Sequence, residues 1–393
     1  MKVMILAGEQ SGDVYGAQLV ESLKRSRAGG GIEFRGTGGA GMKAAGVETV
    51  ASVEDMAVIG ITPVIAKLPF FISLSRRLKR MMREWRPDLL LTVDYPGMNL
   101  RMCAYAKKLG IPAVHVVCPQ VWAWKSSRIP KIMASVDRLL CFFPFEPGLF
   151  HAPEGSTFKA VFIGHPLADA FRLERLRERI PLPWGDGTRR VALLPGSRLG
   201  EISRNLPALL DTAVLLSHQY KGGPVKFLIP SASERVEKII RLAISRRDDA
   251  GGIVECLPPG CARDVLLTAD VAAVASGTAT LEAALARVPT VLVYKVGFFF
   301  ATLCRFLLRR LKNIGIGLAN IVAGRQIMPE LLQKQFTPQA LADILDSWLS
   351  DGIRHSEMKK TLNDAVSVLE KGTAGAIENA TEEILAVLPV RSH

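Results

Sequence analysis

Two doubly wound α/β domains in tandem are what the sequence predicts, and three observations predict them. The chain of 393 residues is about twice the usual domain of roughly 100–200 residues, long enough for two cores. Near-continuous apolar runs of strand length alternate with helix-length segments, the pattern of a parallel, Rossmann-like sheet covered on both faces. The alternation breaks once, at a charged stretch rich in Pro and Gly, and then restarts. Hydrophobic residues at 49% and charged residues at 22% are ordinary for a globular chain and exclude a disordered or collagen-like one.

In the first half, residues 2–7 (KVMILA) form a buried strand that ends in a loop, after which Leu19, Val20 and Leu23 share one helix face. Residues 32–35, 88–93 (DLLLTV), 112–117 (PAVHVV) and 138–142 (RLLCF) continue the series. An N-terminal domain is therefore expected over residues 1–171. Residues 172–188, with Pro181, Pro183, Gly185 and Gly187, read as a linker. Strands resume at 190–194 (RVALL), 225–229 (VKFLI), 252–255, 270–275 (DVAAVA) and 290–293 (TVLV), which places a second domain at 189–350. Residues 351–393 remain as a helical segment, either swapped between subunits or packing back on the first domain.

Ligands of doubly wound sheets bind outside the carboxyl ends of the strands, so the loops there are the candidates for chemistry. In Gly8-Glu9-Gln10-Ser11-Gly12-Asp13 the glycines let the backbone turn and approach a ligand. Glu9 reads as functional, and Asp13 as an acid or the N-cap of the next helix. Asp94-Tyr95-Pro96-Gly97-Met98-Asn99 follows a buried strand. A carboxylate there is held rigidly and partly desolvated, which raises its pKa and suits it to act as a base; a turn opener is the plainer reading of Asp94. Leu194-Pro195-Gly196-Ser197-Arg198, with Glu201 beyond, offers backbone N–H groups, a helix N-terminus and a guanidinium to a phosphate. Ser276-Gly277-Thr278-Ala279-Thr280-Leu281-Glu282 is a second anion cradle, with Glu282 placed to accept hydrogen bonds from ribose hydroxyls.

Gly36-Thr37-Gly38-Gly39-Ala40-Gly41 satisfies G-x-G-x-x-G, but it follows the second expected strand, and Glu54 and Asp55 miss the spacing of the usual ribose acid. It reads as a glycine-rich loop lining an interdomain cleft. No metal is expected. The six histidines are scattered, the six cysteines lack C-x-x-C spacing and read as buried reduced thiols, and Asp-x-Asp is absent. A departing diphosphate would have to be stabilised by Arg198 and helix N-termini.

Fifty Lys plus Arg against thirty-seven Asp plus Glu give a net charge of +13, which points to nucleic acid, a phosphorylated ligand or an acidic membrane. Val64, Ile65, Leu68, Phe70 and Phe71 run into Arg76 and Arg77, and residues 298–312 repeat the pattern of apolar bulk beside cations. Both read as interfacial segments meeting anionic lipid. Nucleic acid is disfavoured, because these cations adjoin aliphatic bulk and not a groove with stacking aromatics. The apolar stretches at 57–75 and 291–308 are interrupted by Lys67 and Pro69 and by Lys295 and Arg305, short of the roughly 20 apolar residues of a membrane span. Residues 3–7 are too short for a signal peptide. A cytoplasmic protein, peripheral on a membrane, is expected.

Taken in order, Gly8-Glu9-x-Ser11-Gly12-Asp13, Asp94-Tyr95-Pro96-Gly97-x-Asn99, Val121-Trp122-Ala123-Trp124, Phe162-Ile163-Gly164-His165-Pro166, Leu194-Pro195-Gly196-Ser197-Arg198, the loop 275–282 and Asn320-Ile321-Val322-Ala323-Gly324-Arg325 resemble the lipid-A-disaccharide synthases, over about residues 2–385. The resemblance implies an inverting glycosyltransferase of the two-domain GT-B fold. Such an enzyme joins UDP-2,3-diacylglucosamine to 2,3-diacylglucosamine 1-phosphate, forming a β-1′,6 disaccharide and releasing UDP. It implies roles in activity for Asp94 and Glu9, UDP contacts for Arg198 and Glu282, and a functional polar role for Asn320. Joined to the loop reading, the expected substrate contacts are Ser11, Ser197, Arg198, Gly277, Thr278, Ala279, Glu282 and Asn320. The base that takes the acceptor 6-hydroxyl proton is expected to be Asp94 first and Glu9 second. The family also implies a C-terminally swapped homodimer and membrane contact through residues 57–75. Gln10 and Ala40-Gly41 depart from the usual pattern, on the acceptor side. Two rival readings are a UDP-sugar 2-epimerase of the same architecture and a non-catalytic protein that binds anionic lipid.

Overall fold

The computed structural model describes residues 1–26, 31–56, 67–122, 126–295, 314–369 and 375–388. The chain divides into two compact units, one formed by Met1–Pro166 with the C-terminal residues from Leu369 onward, the other by Leu167–Val368.

Seven strands, β1 (Lys2–Ala7), β2 (Glu33–Gly38), β3 (Glu48–Ser52), β4 (Leu89–Val93), β5 (Ala113–Val116), β6 (Arg138–Cys141) and β7 (Lys159–Phe162), form the sheet of the first unit. Its order is β3-β2-β1-β4-β5-β6-β7, and every pair is parallel. The crossovers carry α1 (Gln10–Arg25), α2 (Ala40–Ala44), α3 (Val53–Met56), α4 (Leu68–Trp85), α5 (Pro96–Lys108) and α6 (Ile129–Ser135). Strand β1 shows why the central strands read as unbroken apolar runs. Val3, Ile5 and Ala7 pack into one core with Leu19, Val20 and Leu23 of α1, while Met4 and Leu6 pack into a second core with Leu78 and Met82 of α4. Alternate side chains point to opposite faces, and both faces are covered.

Asp13 corrects the sequence expectation. It lies inside α1, is only 2% exposed, and caps a different helix, accepting hydrogen bonds from the N–H groups of Gly39 (2.6 Å), Gly41 (2.9 Å) and Met42 (3.0 Å) at the start of α2. The glycine-rich motif is thereby explained without a ligand. Its free N–H groups are occupied by an internal carboxylate, and a Cβ at Gly36 would collide with the carbonyl oxygen of Ile5 on the neighbouring strand. Asp13→Ala should therefore cost about 2–3 kcal/mol, since two buried donors and a part-buried one lose their acceptor at about 1 kcal/mol each. Urea unfolding measures this, and an unchanged midpoint would contradict it.

The second unit opens with α7 (Pro166–Leu176), so the first residues of the expected linker are helical. The remainder is also anchored: Trp184 is buried, and its indole N–H donates to the Thr268 hydroxyl at 3.0 Å. Strands β8 (Arg189–Leu194), β9 (Val225–Pro230), β10 (Val254–Leu257), β11 (Val271–Ala275), β12 (Thr290–Tyr294) and β13 (Glu330–Leu332) form a parallel sheet of order β10-β9-β8-β11-β12-β13. Around it lie α8 (Leu199–Gln219), α9 (Glu234–Ser245), α10 (Ala262–Thr268), α11 (Thr278–Leu285), α12 (Leu318–Ala323), α13 (Pro338–Ser350) and α14 (Gly352–Ser367).

The C-terminal segment is split between the units. Helix α14 stays with the second, whereas α15 (Ala376–Leu385) belongs to the first, where Ala380 and Ile384 join the core of α1. There the Thr381 hydroxyl donates to that of Ser22 at 2.9 Å, and the Asn379 amide donates to the Ile163 carbonyl at 2.9 Å.

Candidate active site

In each sheet the chain reverses direction at one point, between β1 and β4 and between β8 and β11. Crossovers diverge there and leave an opening at the carboxyl ends of the two strands, where ligands of this architecture sit. All four loops singled out in the sequence lie at these two points.

At the first, Ala7 stands opposite Val93, which brings the Glu9 and Asp94 loops together. Asp94 and Tyr95 both adopt left-handed backbone, with φ of 50° and 49°. Such residues cost about 1–3 kcal/mol each and persist only where their surroundings over-determine them. Asn99 does so. Fully buried, its amide donates to the carbonyls of Asp94 (2.7 Å), Val93 (3.2 Å) and Leu6 (3.3 Å), tying the tips of both strands together. The Tyr95 ring lies over Gly8, where any Cβ would collide with it, so Gly8 makes room for this side chain. Asp94 Oδ1 accepts the Tyr95 N–H at 2.8 Å.

Burial pushes the Asp94 carboxyl above its ordinary range, and the Tyr95 N–H offsets part of that rise. The Glu9 carboxyl is also raised, by burial and then by the charge of Asp94. Ser11 lies exposed in the first turn of α1, two residues beyond Glu9.

Asp94 borders a cavity of about 260 Å³ whose walls include Pro96, Val117, Val121, Phe142 and Phe143, with Arg128 and Glu146 among its polar groups. Sequence reading missed Glu146. It follows β6, is 2% exposed, and accepts hydrogen bonds from the Phe143 N–H (3.1 Å) and, at 3.4 Å, the Trp122 indole. Burial pushes its carboxyl up to about 8. The ligand atoms of Cys118, Cys141 and Glu146 lie within 4.8 Å of one another, the one such metal-type group among the described residues. Spacing along the chain conceals it, because the residues come from the ends of adjacent strands. The Cys118 thiol is driven far up by Cys141 and burial, and donates to the Pro119 carbonyl at 3.4 Å.

At the second switch point Ser197, Arg198, Gly277, Thr278, Ala279 and Glu282 line one cavity of about 340 Å³. Gly277 has φ 141° at the start of α11, a conformation that other residues rarely adopt, and a Cβ there would meet nothing. The Thr280 hydroxyl, fully buried, holds that turn by donating to the Gly277 carbonyl at 2.8 Å. Arg198 precedes α8, and its guanidinium is 2.9 Å from Glu201 Oε1 while its side chain is 76% exposed. The exposed Arg198 guanidinium is free to turn toward an incoming anion, while Glu201, 12% exposed, stays in place. Burial pushes the Glu282 carboxyl up, and Arg263, at 3.8 Å, pulls it back down. Arg263 sits on α10, outside every motif.

Asn320 does not join them. It is fully buried, its carbonyl accepts the N–H groups of Ile327 and Met328 (2.8 Å each), and its amide donates to the Met328 carbonyl (3.1 Å) and Glu330 (2.8 Å). No polar capacity is left for a ligand, so the expected contact becomes a role in shaping the backbone.

Of the expected membrane contacts, Val64 and Ile65 lie outside the described residues, as does the whole second greasy basic segment, 298–312. On α4, Leu68 and Ile72 are 54% and 44% exposed, Phe70 and Phe71 are half-buried, and Arg76 and Arg77 point outward, while Leu74, Leu78, Met82 and Trp85 form the buried face. Among the described residues no helix is long and apolar enough to cross a membrane.

Comparison with known proteins adds the following. Residues 3–387 match a family model described as lipid-A-disaccharide synthetase. The chain is 37% identical over 388 residues to the lipid-A-disaccharide synthase of Chromobacterium violaceum, covering 98% of this chain and 97% of that one. Among solved structures, it is similar to a UDP-GlcNAc 2-epimerase from Neisseria meningitidis bound to UDP-GlcNAc (TM-score 0.60, 13% identity, 99% of both chains). It is also similar to the calicheamicin glycosyltransferase (TM-score 0.57, 17% identity, 98% of both chains). At such identities the structural likeness establishes the GT-B fold alone, and that fold carries both chemistries.

Proposed function

The chain belongs to the lipid-A-disaccharide synthetase family, glycosyltransferases of lipid A biosynthesis, and we propose that it joins UDP-2,3-diacylglucosamine to 2,3-diacylglucosamine 1-phosphate. One observation carries this reading: a desolvated acid stands at the switch point of one sheet and an anion cradle at that of the other. Asp94 accepts the proton of the acceptor 6-hydroxyl as its oxygen attacks C1 of the donor sugar. The bond from C1 to the diphosphate breaks, and UDP departs with the electron pair. Arg198, Ser197 and the N–H groups of Gly277, Thr278 and Ala279 receive the charge that develops on the diphosphate. Glu282 accepts the ribose hydroxyls. Glu9 stands near Asp94 as a second acid, and Ser11 faces the acceptor.

Acyl chains supply the reason for a membrane surface. Each buried CH₂ is worth about 0.8 kcal/mol, so a multiply acylated sugar leaves the bilayer only at great cost and the enzyme must come to it. Leu68, Phe70, Phe71 and Ile72 beside Arg76 and Arg77 supply an apolar edge with cations behind it. The sequence resemblance further supports a homodimer on the inner face of the cytoplasmic membrane. Replacing Leu68, Phe70, Phe71 and Ile72 together by Ser should lower co-sedimentation with anionic vesicles at least tenfold at low salt. Undiminished sedimentation would remove α4 from the membrane contact.

Incubation with the UDP donor, with and without the acylated 1-phosphate, tests the reaction itself. One UDP and one disaccharide should appear only when both substrates are present. Turnover without acceptor would mark an epimerase, and no UDP release at all a binding protein.

A further inference from the structure

We infer that Arg128 is the receptor for the acceptor's 1-phosphate, gripping that end of the sugar so that its 6-hydroxyl meets Asp94; the inference rests on the functional reading above. Arg128 ends a short helical turn, Ser126–Arg128, and lines the same cavity as Asp94. Its side chain is half-buried, and among the described residues no carboxylate forms an ion pair with it. The other acid of the cavity does not neutralise it. Glu146 has both oxygens engaged, by the Phe143 N–H and the Trp122 indole, and forms no ion pair with Arg128.

An apolar cavity with one cation that forms no ion pair, and with the Asp94 carboxylate at its border, is the complement of a ligand that is anionic at one end and carries a hydroxyl at the other. A sugar 1-phosphate is such a ligand. Its phosphate carries about −1.5 to −2 charge at neutral pH, and a guanidinium matches it with two parallel hydrogen bonds. C1, which bears the phosphate, and C5, which bears the CH₂OH group, flank the ring oxygen. Holding the phosphate therefore fixes where the 6-hydroxyl lies. The donor's diphosphate does not compete for this cation, because the cradle of the second unit has Arg198 of its own.

The test compares two acceptors, 2,3-diacylglucosamine with and without its 1-phosphate, in the wild type, Arg128→Ala and Arg128→Lys. A lost charge-assisted contact of this kind lowers affinity roughly 10–100-fold. Arg128→Ala should accordingly lower kcat/KM for the phosphorylated acceptor by that factor, chiefly through KM. Turnover of the dephosphorylated acceptor and the KM of the donor should stay within about twofold, and Arg128→Lys should recover part of the loss. Equal losses on both acceptors would make Arg128 a structural residue and overturn the inference, as would no loss on either. If Arg128→Ala instead loses binding to anionic vesicles containing no acceptor, the cation serves lipid headgroups and the inference falls. A wild type that makes disaccharide from neither acceptor would overturn the functional reading and this inference with it.

Discussion

Asp94→Asn should lower disaccharide formation by about 10²–10⁴-fold, the usual contribution of a general base, while donor binding is retained. Asparagine is the informative replacement. It tolerates the left-handed backbone that this position adopts at φ 50°, and its carbonyl can still accept the Tyr95 N–H. Alanine would add backbone strain to the loss of the base. The wild-type pH profile should carry the complementary signature. A base works only when ionised, so kcat/KM falls as pH drops through the carboxyl's pKa, and burial places that acid limb above the ordinary carboxylate range. An Asp94→Asn variant with wild-type turnover would exclude Asp94 as the base.

Arg198→Ala should reduce kcat by about 10²–10³-fold, the scale of removing one donor aimed at developing charge. Stability should change by about 1 kcal/mol, because the Arg198 side chain is 76% exposed even though its partner Glu201 is only 12% exposed. Arg198→Lys should recover only part of the loss, since an ammonium cannot reproduce a paired contact to a diphosphate. Single-turnover kinetics at saturating donor measure the effect. A loss confined to the donor KM would assign Arg198 to ground-state binding and not to the departing diphosphate.

Central strands were legible in the sequence and three of the four edge strands were not, for one physical reason; the fourth edge, β10, keeps buried residues and was read. β1, β4, β8 and β11 are covered on both faces and read as unbroken apolar runs. β3, β7 and β13, which the sequence reading omits, are all sheet edges with no fully buried residue. The strand-tip loops were legible because parallel sheets put ligand contacts there, and six of the eight expected substrate contacts line one cavity. Asp13 and Asn320 were misread because a polar residue in a loop motif can serve backbone N–H groups as well as a ligand, and only the partners distinguish the two. Arg128, Glu146 and Arg263 escaped altogether. Arg128 and Glu146 enter their cavity from a short turn and a loop, and Arg263 reaches Glu282 from a neighbouring helix, where neither periodicity nor spacing marks them.

The most direct measurement is the anomeric configuration of the product. Wild-type enzyme, the UDP-linked donor and the acylated 1-phosphate are incubated together, and the disaccharide's new glycosidic carbon is examined by NMR. Single displacement with Asp94 as the base requires inversion, so an α-linked donor should give a β-1′,6 bond with one UDP released per bond. An α-linked disaccharide, or UDP release without any disaccharide, would contradict it.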